Sequence, residues 1–459
     1  MLLGLILGPI LRDGMFLDGV VYTNIAKNLA NGIGTMWSPL VFPDSVPFYE
    51  NPVLLPWVES WFFVLLGDGL HTEDVYNFLV LAATIVVMYF IWRTLVPAKQ
   101  RYLFFFPFLL WVLSQEVQLR YPNTMLECGL TLTLLLTAYT FLKAVPRHPN
   151  LSFGLVGLGV FIATLCKGPF GLFLLALPFL HQLVLLRRLN FTALLTPLLT
   201  TATCYAVLFY TQPEALVFWE NYLHQQVFAA IKGERTENIA NTRLDFLYWL
   251  IMLNLPAIVL AIVVSYLFRK TKSVRPNSPR TAWLLISMGV LAVLPLVISS
   301  KQAAYYQLPA LPFFALGFSL LILPKIHHLC EWVAARRNAL YTLSTVGGIS
   351  IMITGFIAIS MVGTTDRRDR EVVEMAAAIA TAMETQNVQD YNLQLLGNTE
   401  SAAQRSYRLT NFLARYHNLN LNQIGTTDVE LIIRHGGQQV TKGGQVFFWK
   451  DDVLLRKRR

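Results

Sequence analysis

The chain has 459 residues, of which 55% are apolar and only 14% charged, and its formal net charge is +9. So few charges exclude a soluble protein of two or three domains, where about a quarter of the residues would be charged. The positive balance does not point to nucleic acid, because most basic residues before position 363 fall in short connections between apolar runs. That is the pattern of loops facing anionic lipid.

Residues 1–12 are apolar but about half a span long. They lack the basic start and cleavage site of a secretory signal, and read either as the end of a first transmembrane helix or as a short anchor. Residues 13–72 form a long loop with two interfacial helices. Asp18 opens the first, where Val21, Ile25, Ala26 and Leu29 recur at helical spacing and a carboxylate suits the cap and the dipole. Tyr49-Glu50-Asn51-Pro52 opens the second; Pro52 suits a first helical turn, and Trp57, Trp61 and Phe62 suit a membrane interface. Further spans are expected near 73–96, 100–116, 123–143, 151–166, 168–186, 191–211, 244–268, 281–299, 303–323 and 338–362, giving an all-α polytopic domain of about 11 transmembrane helices over 1–363. After Gly363 the pattern changes to a small α/β domain over 364–459, with helices at 366–386 and 401–417 and strands at 391–397, 429–434 and 445–449. The basic end, Arg456-Lys457-Arg458-Arg459, reads as a solvated tail. Cys128, Cys166 and Cys204 lie in or beside apolar runs and Cys330 in a basic loop; their spacing suits neither zinc nor a disulfide framework.

Alternating the spans puts five basic loops on one side. They carry Arg93, Lys99 and Arg101; Lys143 and Arg147; Arg187 and Arg188; Arg269, Lys270, Lys272, Arg275 and Arg280; and Lys325, Arg336 and Arg337. That side is the cytoplasm by the positive-inside rule. The outer side receives 13–72, 117–122, 167, 212–243, 300–302 and the C-terminal domain.

The outer segments hold the chemistry. Lys167-Gly168-Pro169 separates two spans, and a lysine there needs water or an anion. Lys301, Tyr305 and Tyr306 put a cation and two phenols at the mouth of another helix. The loop 212–243 adds Trp219, Glu220, His224, Lys232 and Arg235, with His224 a candidate metal or sugar contact. Carboxylates can serve as general base or hold a divalent metal, cations and phenols can hold a phosphate, and aromatic faces suit sugar rings. The inventory suits group transfer from a lipid-phosphate donor. A flippase or transporter of a lipid-linked sugar is the alternative, and it would place ionisable residues at the bilayer midplane and show inverted repeats.

Taken together, Asp18 with Tyr22, Tyr49-Glu50-Asn51-Pro52, Lys167-Gly168-Pro169 and Lys301 with Tyr305-Tyr306-Gln307-Leu308-Pro309 resemble the GT-C fold membrane glycosyltransferases of the protein O-mannosyltransferase and aminoarabinose-transferase type (glycosyltransferase family 39). The resemblance implies a multi-pass enzyme of the bacterial inner membrane, with its active site and C-terminal domain on the periplasmic side. Its donor would be a polyprenyl-phosphate-linked sugar and its acceptor a lipid, glycan or protein. It implies Asp18 as the catalytic acidic residue and Glu50 as a second acid at the donor or at a divalent metal, which His224 can join. Tyr22, Tyr49, Lys167, Lys301, Tyr305 and Tyr306 would line the lipid-phosphate and sugar site. Val21, Asn51 and Val227 stand where aminoarabinose transferases carry basic residues, with Arg120, Lys232 and Arg235 as candidate replacements. This departure points away from lipid A and aminoarabinose as substrates.

Overall fold

The computed structural model of the chain describes residues 4–188, 190–234, 244–269, 279–297, 302–396, 400–421, 429–434, 445–450 and 453–457. In chain order the helices are α1 (Gly4–Ile10), α2 (Leu17–Ala30), α3 (Leu54–Leu66), α4 (Thr72–Leu95), α5 (Phe105–Val112), α6 (Gln115–Arg120), α7 (Leu126–Ala144), α8 (Pro149–Lys167), α9 (Ala176–His181), α10 (Thr192–Thr211), α11 (Pro213–Tyr222), α12 (Ala229–Lys232), α13 (Asp245–Leu267), α14 (Pro279–Val293), α15 (Leu311–Leu321), α16 (Leu323–Ala334), α17 (Arg337–Met361), α18 (Arg370–Thr385) and α19 (Glu400–His417). The strands are β1 (Asp390–Leu396), β2 (Asn420–Leu421), β3 (Val429–Arg434), β4 (Gln445–Lys450) and β5 (Val453–Lys457). The chain divides into two compact units: Met1–Ile10, Tyr49–Pro52 and Asn77–Met361 in the first, and Leu11–Phe48, Val53–Tyr76 and Val362–Arg459 in the second. Most of the long first loop therefore groups with the C-terminal residues.

In the first unit, length and composition qualify seven described helices to cross a membrane, or eight with the bent pair Ala98–Val112 and Gln115–Asn123. One of the seven, Pro149–Leu186, runs 38 residues. Straight, it would be about 57 Å long, nearly twice the hydrocarbon thickness of a bilayer. It is not straight. Gly168 takes φ +58°, and a Cβ on Gly171 would lie 2.7 Å from Ala163 and Thr164, so the chain folds back along α8 directly after Lys167. The run is two passes. With α14, which a 3₁₀ turn extends to Val297, and the short α1, each of the eleven apolar runs is a helix or helix pair. Glycine lets neighbours approach closely: a Cβ on Gly157 would meet the Pro197 carbonyl oxygen of α10 at 2.5 Å. The chain is a multi-pass membrane protein.

The contacts within this unit sort its loops into two ends. Tyr102 meets the His327 ring at 6.5 Å, Phe268 meets His328 at 5.4 Å, and Phe141 meets His181 at 5.2 Å. Lys325 Nζ donates to the Ser265 carbonyl at 3.2 Å, and Arg280 to that of Leu185 at 3.5 Å. These contacts join the termini of the five basic loops. Helices α7 and α8, each 19 residues, run from this end to the other, about 28 Å away. The far end carries Glu127 and Lys167.

In the second unit, α2 is buried along Gly19–Asn28 on all sides. The sequence reads it as an interfacial helix; the structure makes it a core element, because its polar residues find partners. Thr23 donates to Glu59 Oε1 at 3.0 Å, and Asn24 donates to the Asn411 backbone and side-chain oxygens at 3.0 and 2.9 Å. By contrast α3 leaves Trp61, Val64 and Leu65 exposed, as an interfacial helix would. It starts at Leu54 with Val53 as cap, so Pro52 lies outside the first turn. The sheet has the order β2-β1-β3-β5-β4, parallel across β2, β1 and β3 and antiparallel beyond. Helix α18 buries Met375, Ala376, Ile379 and Met383 at helical spacing. Arg456 and Lys457 belong to β5 rather than to a solvated tail, because Arg456 pairs with the buried Glu430 at 2.8 Å. Cys330 sits in α16, not in a loop, and all four cysteines are free.

Candidate lipid-phosphate site

Lys167 is the last residue of α8, where the helix dipole favours a cation, and Glu127 lies in the first turn of α7, where it favours an anion. The two pair directly, with side chains only 7% and 1% exposed. Gly168 permits the reversal that aims Lys167 inward; a Cβ there would collide with the Tyr222 hydroxyl. Glu127 spends Oε1 on Lys167, and its Oε2 has no hydrogen-bond partner among the described residues.

A second pair lies alongside. The bent pair turns by 78° after Val112, and its second half ends at Thr124, which takes φ +47°. That conformation is strained for a β-branched residue. Asn77 Nδ2 donates to Thr124 Oγ1 at 3.0 Å and holds the turn. On α6, Arg120 Nε bonds Glu116 Oε2 at 2.6 Å, four residues earlier, in the acid-first order that suits a helix. The Arg120 guanidinium lies 4.7 Å from the Tyr305 ring centre, and Lys167 Nζ lies 5.8 Å from Tyr305 and 5.2 Å from Tyr306. The two phenol rings meet at 4.6 Å, and Phe170 backs Tyr306 at 5.4 Å. The Glu116–Arg120 and Glu127–Lys167 pairs both reach the Tyr305 ring through their cations, so the four residues form one cluster. It is formally neutral, with two acids and two bases.

Aromatic contacts connect the segment 49–52 to the same end. Tyr49 meets Phe218 at 5.6 Å, Phe218 stacks on Tyr222 at 6.5 Å, and the Tyr222 hydroxyl lies against Gly168. Five segments from distant parts of the sequence thus converge at this end of the first unit. Glu50 is exposed beside Tyr49. His224 is exposed on the π-helical turn after α11, with its ring 5.6 Å from Phe228. Among the described residues no group of three or more His, Cys, Asp or Glu could hold a metal ion. Glu50 and His224 are both exposed, and among the described residues no third such ligand joins them.

Of the residues singled out by sequence, Lys167, Tyr305 and Tyr306 come together, with Arg120 as the additional cation. Lys301 and Arg235 lie outside the described residues. Lys232 is exposed, 4.0 Å from Glu234. Asp18 and Tyr22 belong to the second unit. Asp18 is exposed in the first turn of α2, where the dipole favours a carboxylate, and Phe16 rather than Asp18 is the cap residue. Tyr22 is buried, its ring edge-on to Phe48 at 6.3 Å. The sequence reading missed Glu116 and Glu127. An acid inside an apolar run is itself a signal, because it is costly in a membrane without a partner.

The sequence matches no protein-family model and no curated protein. Among solved structures it is similar to ArnT from Cupriavidus metallidurans in the apo state, with TM-score 0.65 and 13% identity over 99% of this chain and 96% of that one. It is also similar to the same protein bound to undecaprenyl phosphate, with TM-score 0.52 and 15% identity over 91% of this chain and 75% of that one. The chain therefore has the GT-C fold of membrane glycosyltransferases. Identity this low shows the fold alone.

Proposed function

We propose that the chain is an integral-membrane glycosyltransferase that moves a sugar from a polyprenyl-phosphate donor to a lipid, glycan or protein acceptor on the extracytoplasmic face of a bacterial inner membrane. The observation that carries this reading is the convergence of Lys167 and Arg120 on the Tyr305 ring, with Lys167 also facing Tyr306, at the end of the bundle opposite the basic loops. The positive-inside rule makes that end extracytoplasmic. The similar fold of a protein solved with undecaprenyl phosphate supports the donor class.

In this mechanism an acceptor oxygen attacks the anomeric carbon of the donor from the face opposite the phosphate. The bond from that carbon to the phosphate oxygen breaks, and its electron pair leaves with the polyprenyl phosphate. The proton of the acceptor passes to the Asp18 carboxylate, and the sugar is transferred with inversion. The leaving phosphate gains one negative charge along this path. Lys167 and Arg120 stabilise that growing charge, which is where electrostatic catalysis is most effective. Glu127 and Glu116 neutralise the two cations while no donor is bound. Tyr305 and Tyr306 present aromatic faces and hydroxyls to the headgroup. Glu50 is assigned to the donor sugar.

The test is purified protein with a panel of polyprenyl-phosphate sugars, read as release of the lipid phosphate. Wild-type protein is expected to release it with at least one donor. Asp18→Asn, folded normally, should lower the rate by at least about a hundredfold. Turnover of Asp18→Asn at the wild-type rate would remove Asp18 from the mechanism.

A further inference from the structure

We propose that the second unit carries an anion-binding pocket next to Asp18 that takes a phosphate group. A cavity of about 580 Å³ is lined by residues of α18, α19 and the start of α2, among them Phe16, Leu17, Arg368, Glu371, Arg405 and Arg408. This volume lies within the range of small-molecule sites. Phe16 and Leu17 immediately precede Asp18, so the cavity abuts the first turn that carries it.

The charges are arranged for a multivalent anion. Arg368 and Arg408 converge on one fully buried carboxylate, Asp369. Arg368 Nε donates to Asp369 Oδ1 at 2.8 Å, and the Arg368 guanidinium lies over the Phe16 ring, 3.8 Å from its centre. Gly14, at φ +107°, lets the backbone pass Asp369 where a Cβ would lie 2.6 Å from its oxygen. Arg405 pairs with Glu371 at 2.6 Å. The three guanidiniums against Asp369 and Glu371 leave one net positive charge. The two guanidiniums that share Asp369 repel each other; burial and the Arg368 charge both hold Arg408 below its ordinary range. An anion in the cavity relieves that repulsion. The three side chains stay 28–41% exposed, so they can turn toward a ligand.

Phosphate fits this set better than carboxylate. One guanidinium satisfies a planar carboxylate through two bonds, whereas three guanidiniums on different turns suit a tetrahedral group with several oxygens. The first backbone N–H groups of α2 add the donors of a 14-residue helix start. Under the transferase reading, on which this part rests, the pocket would hold a phosphorylated acceptor with its hydroxyl toward Asp18. The phosphate could belong to a lipid headgroup or to a soluble phosphosugar.

The test uses the full-length protein in two arms. Glucose 6-phosphate is titrated against protein in phosphatidylcholine nanodiscs, with glucose as the neutral control. Retention of phosphatidic acid from mixed nanodiscs, with phosphatidylcholine as the control, is read by native mass spectrometry. Saturable binding in either arm is expected, and it identifies the source. Arg405→Ala, whose ion pair is at the surface, should weaken it by about tenfold. Arg408→Ala should weaken it further, and Arg405→Lys should recover part of the loss. Binding in neither arm, or binding unchanged by both alanine variants, would overturn the pocket. Arginine-dependent binding without lipid-phosphate release from any donor would keep the pocket and sink the transferase reading.

Discussion

Each unit contains a network of two acids and two bases, largely buried. In the second unit, Lys27, Asp68, Glu73 and Arg415 join residues almost 390 positions apart. Arg415 donates to Asp68 at 2.7 Å, to Glu73 at 2.5 Å and to the Gly69 carbonyl at 2.7 Å. Lys27 pairs with Asp68 at 3.0 Å and donates to the Ala414 and Arg415 carbonyls at 2.9 and 3.2 Å. The Tyr416 hydroxyl closes on the other Glu73 oxygen at 3.2 Å. Both carboxylates are met from several sides. In the first unit Glu127 keeps one oxygen without a hydrogen-bond partner among the described residues, as Arg415 keeps its Nε in the second, and aromatic rings lie against Lys167 and Arg120. The difference teaches that equal charge counts serve different ends. The cations around Arg415 are held by carboxylates and backbone carbonyls; Lys167 and Arg120 meet a carboxylate and an aromatic face.

Substitutions can break this comparison. Arg415→Ala leaves the buried Glu73 without its cation and should destabilise the second unit by about 3–5 kcal/mol, seen as a lower unfolding temperature in detergent and faster proteolysis. Lys167→Met isolates the buried Glu127 and should cost a similar amount, together with a loss of lipid-phosphate release of about a hundredfold or more. The double variant Lys167→Met with Glu127→Leu separates the two effects: it should regain most of the lost stability and stay inactive. If the double variant regained activity, the Lys167 cluster would be structural, like the Arg415 network. Arg120→Ala should lower turnover by about tenfold, because its charge is partly offset by Glu116.

The smallest expected effect concerns Glu59. Burial, and then the Glu73 charge, raise its carboxyl well above the ordinary 4.5. Its native-state proton is one the unfolded chain gives up, so its contribution to stability is full below about pH 4.5 and is lost as pH rises through the native value. Glu59→Gln keeps an oxygen for Thr23 and removes this loss. The variant should unfold at a higher temperature than wild type at pH 8, with the gap closing toward pH 4.5.

Much of the membrane unit was legible from sequence, because a bilayer imposes its length on each apolar run and sorts the charges between loops. The reversal at Lys167-Gly168-Pro169 was readable for the same reason: a cation and two helix breakers interrupt an apolar stretch. Lys167, Tyr305 and Tyr306 could be paired through the resemblance, but Glu127 could not, since its partner lies 40 positions away. Helix α2 misled by its local pattern. Its polar face looked solvated, and partners distant in sequence bury it, among them Glu59 and, 387 residues downstream, Asn411. Arg456 was obscured likewise, because a run of like charges suggests solvent while Glu430 on β3 neutralises one of them.

The central claim is that Lys167 and Arg120 hold a lipid phosphate. Native mass spectrometry of full-length protein loaded with undecaprenyl phosphate tests it most directly, comparing wild type with the Lys167→Met, Glu127→Leu double variant. The account predicts that wild type retains the lipid and the equally stable double variant loses it. Equal retention by both proteins would contradict it.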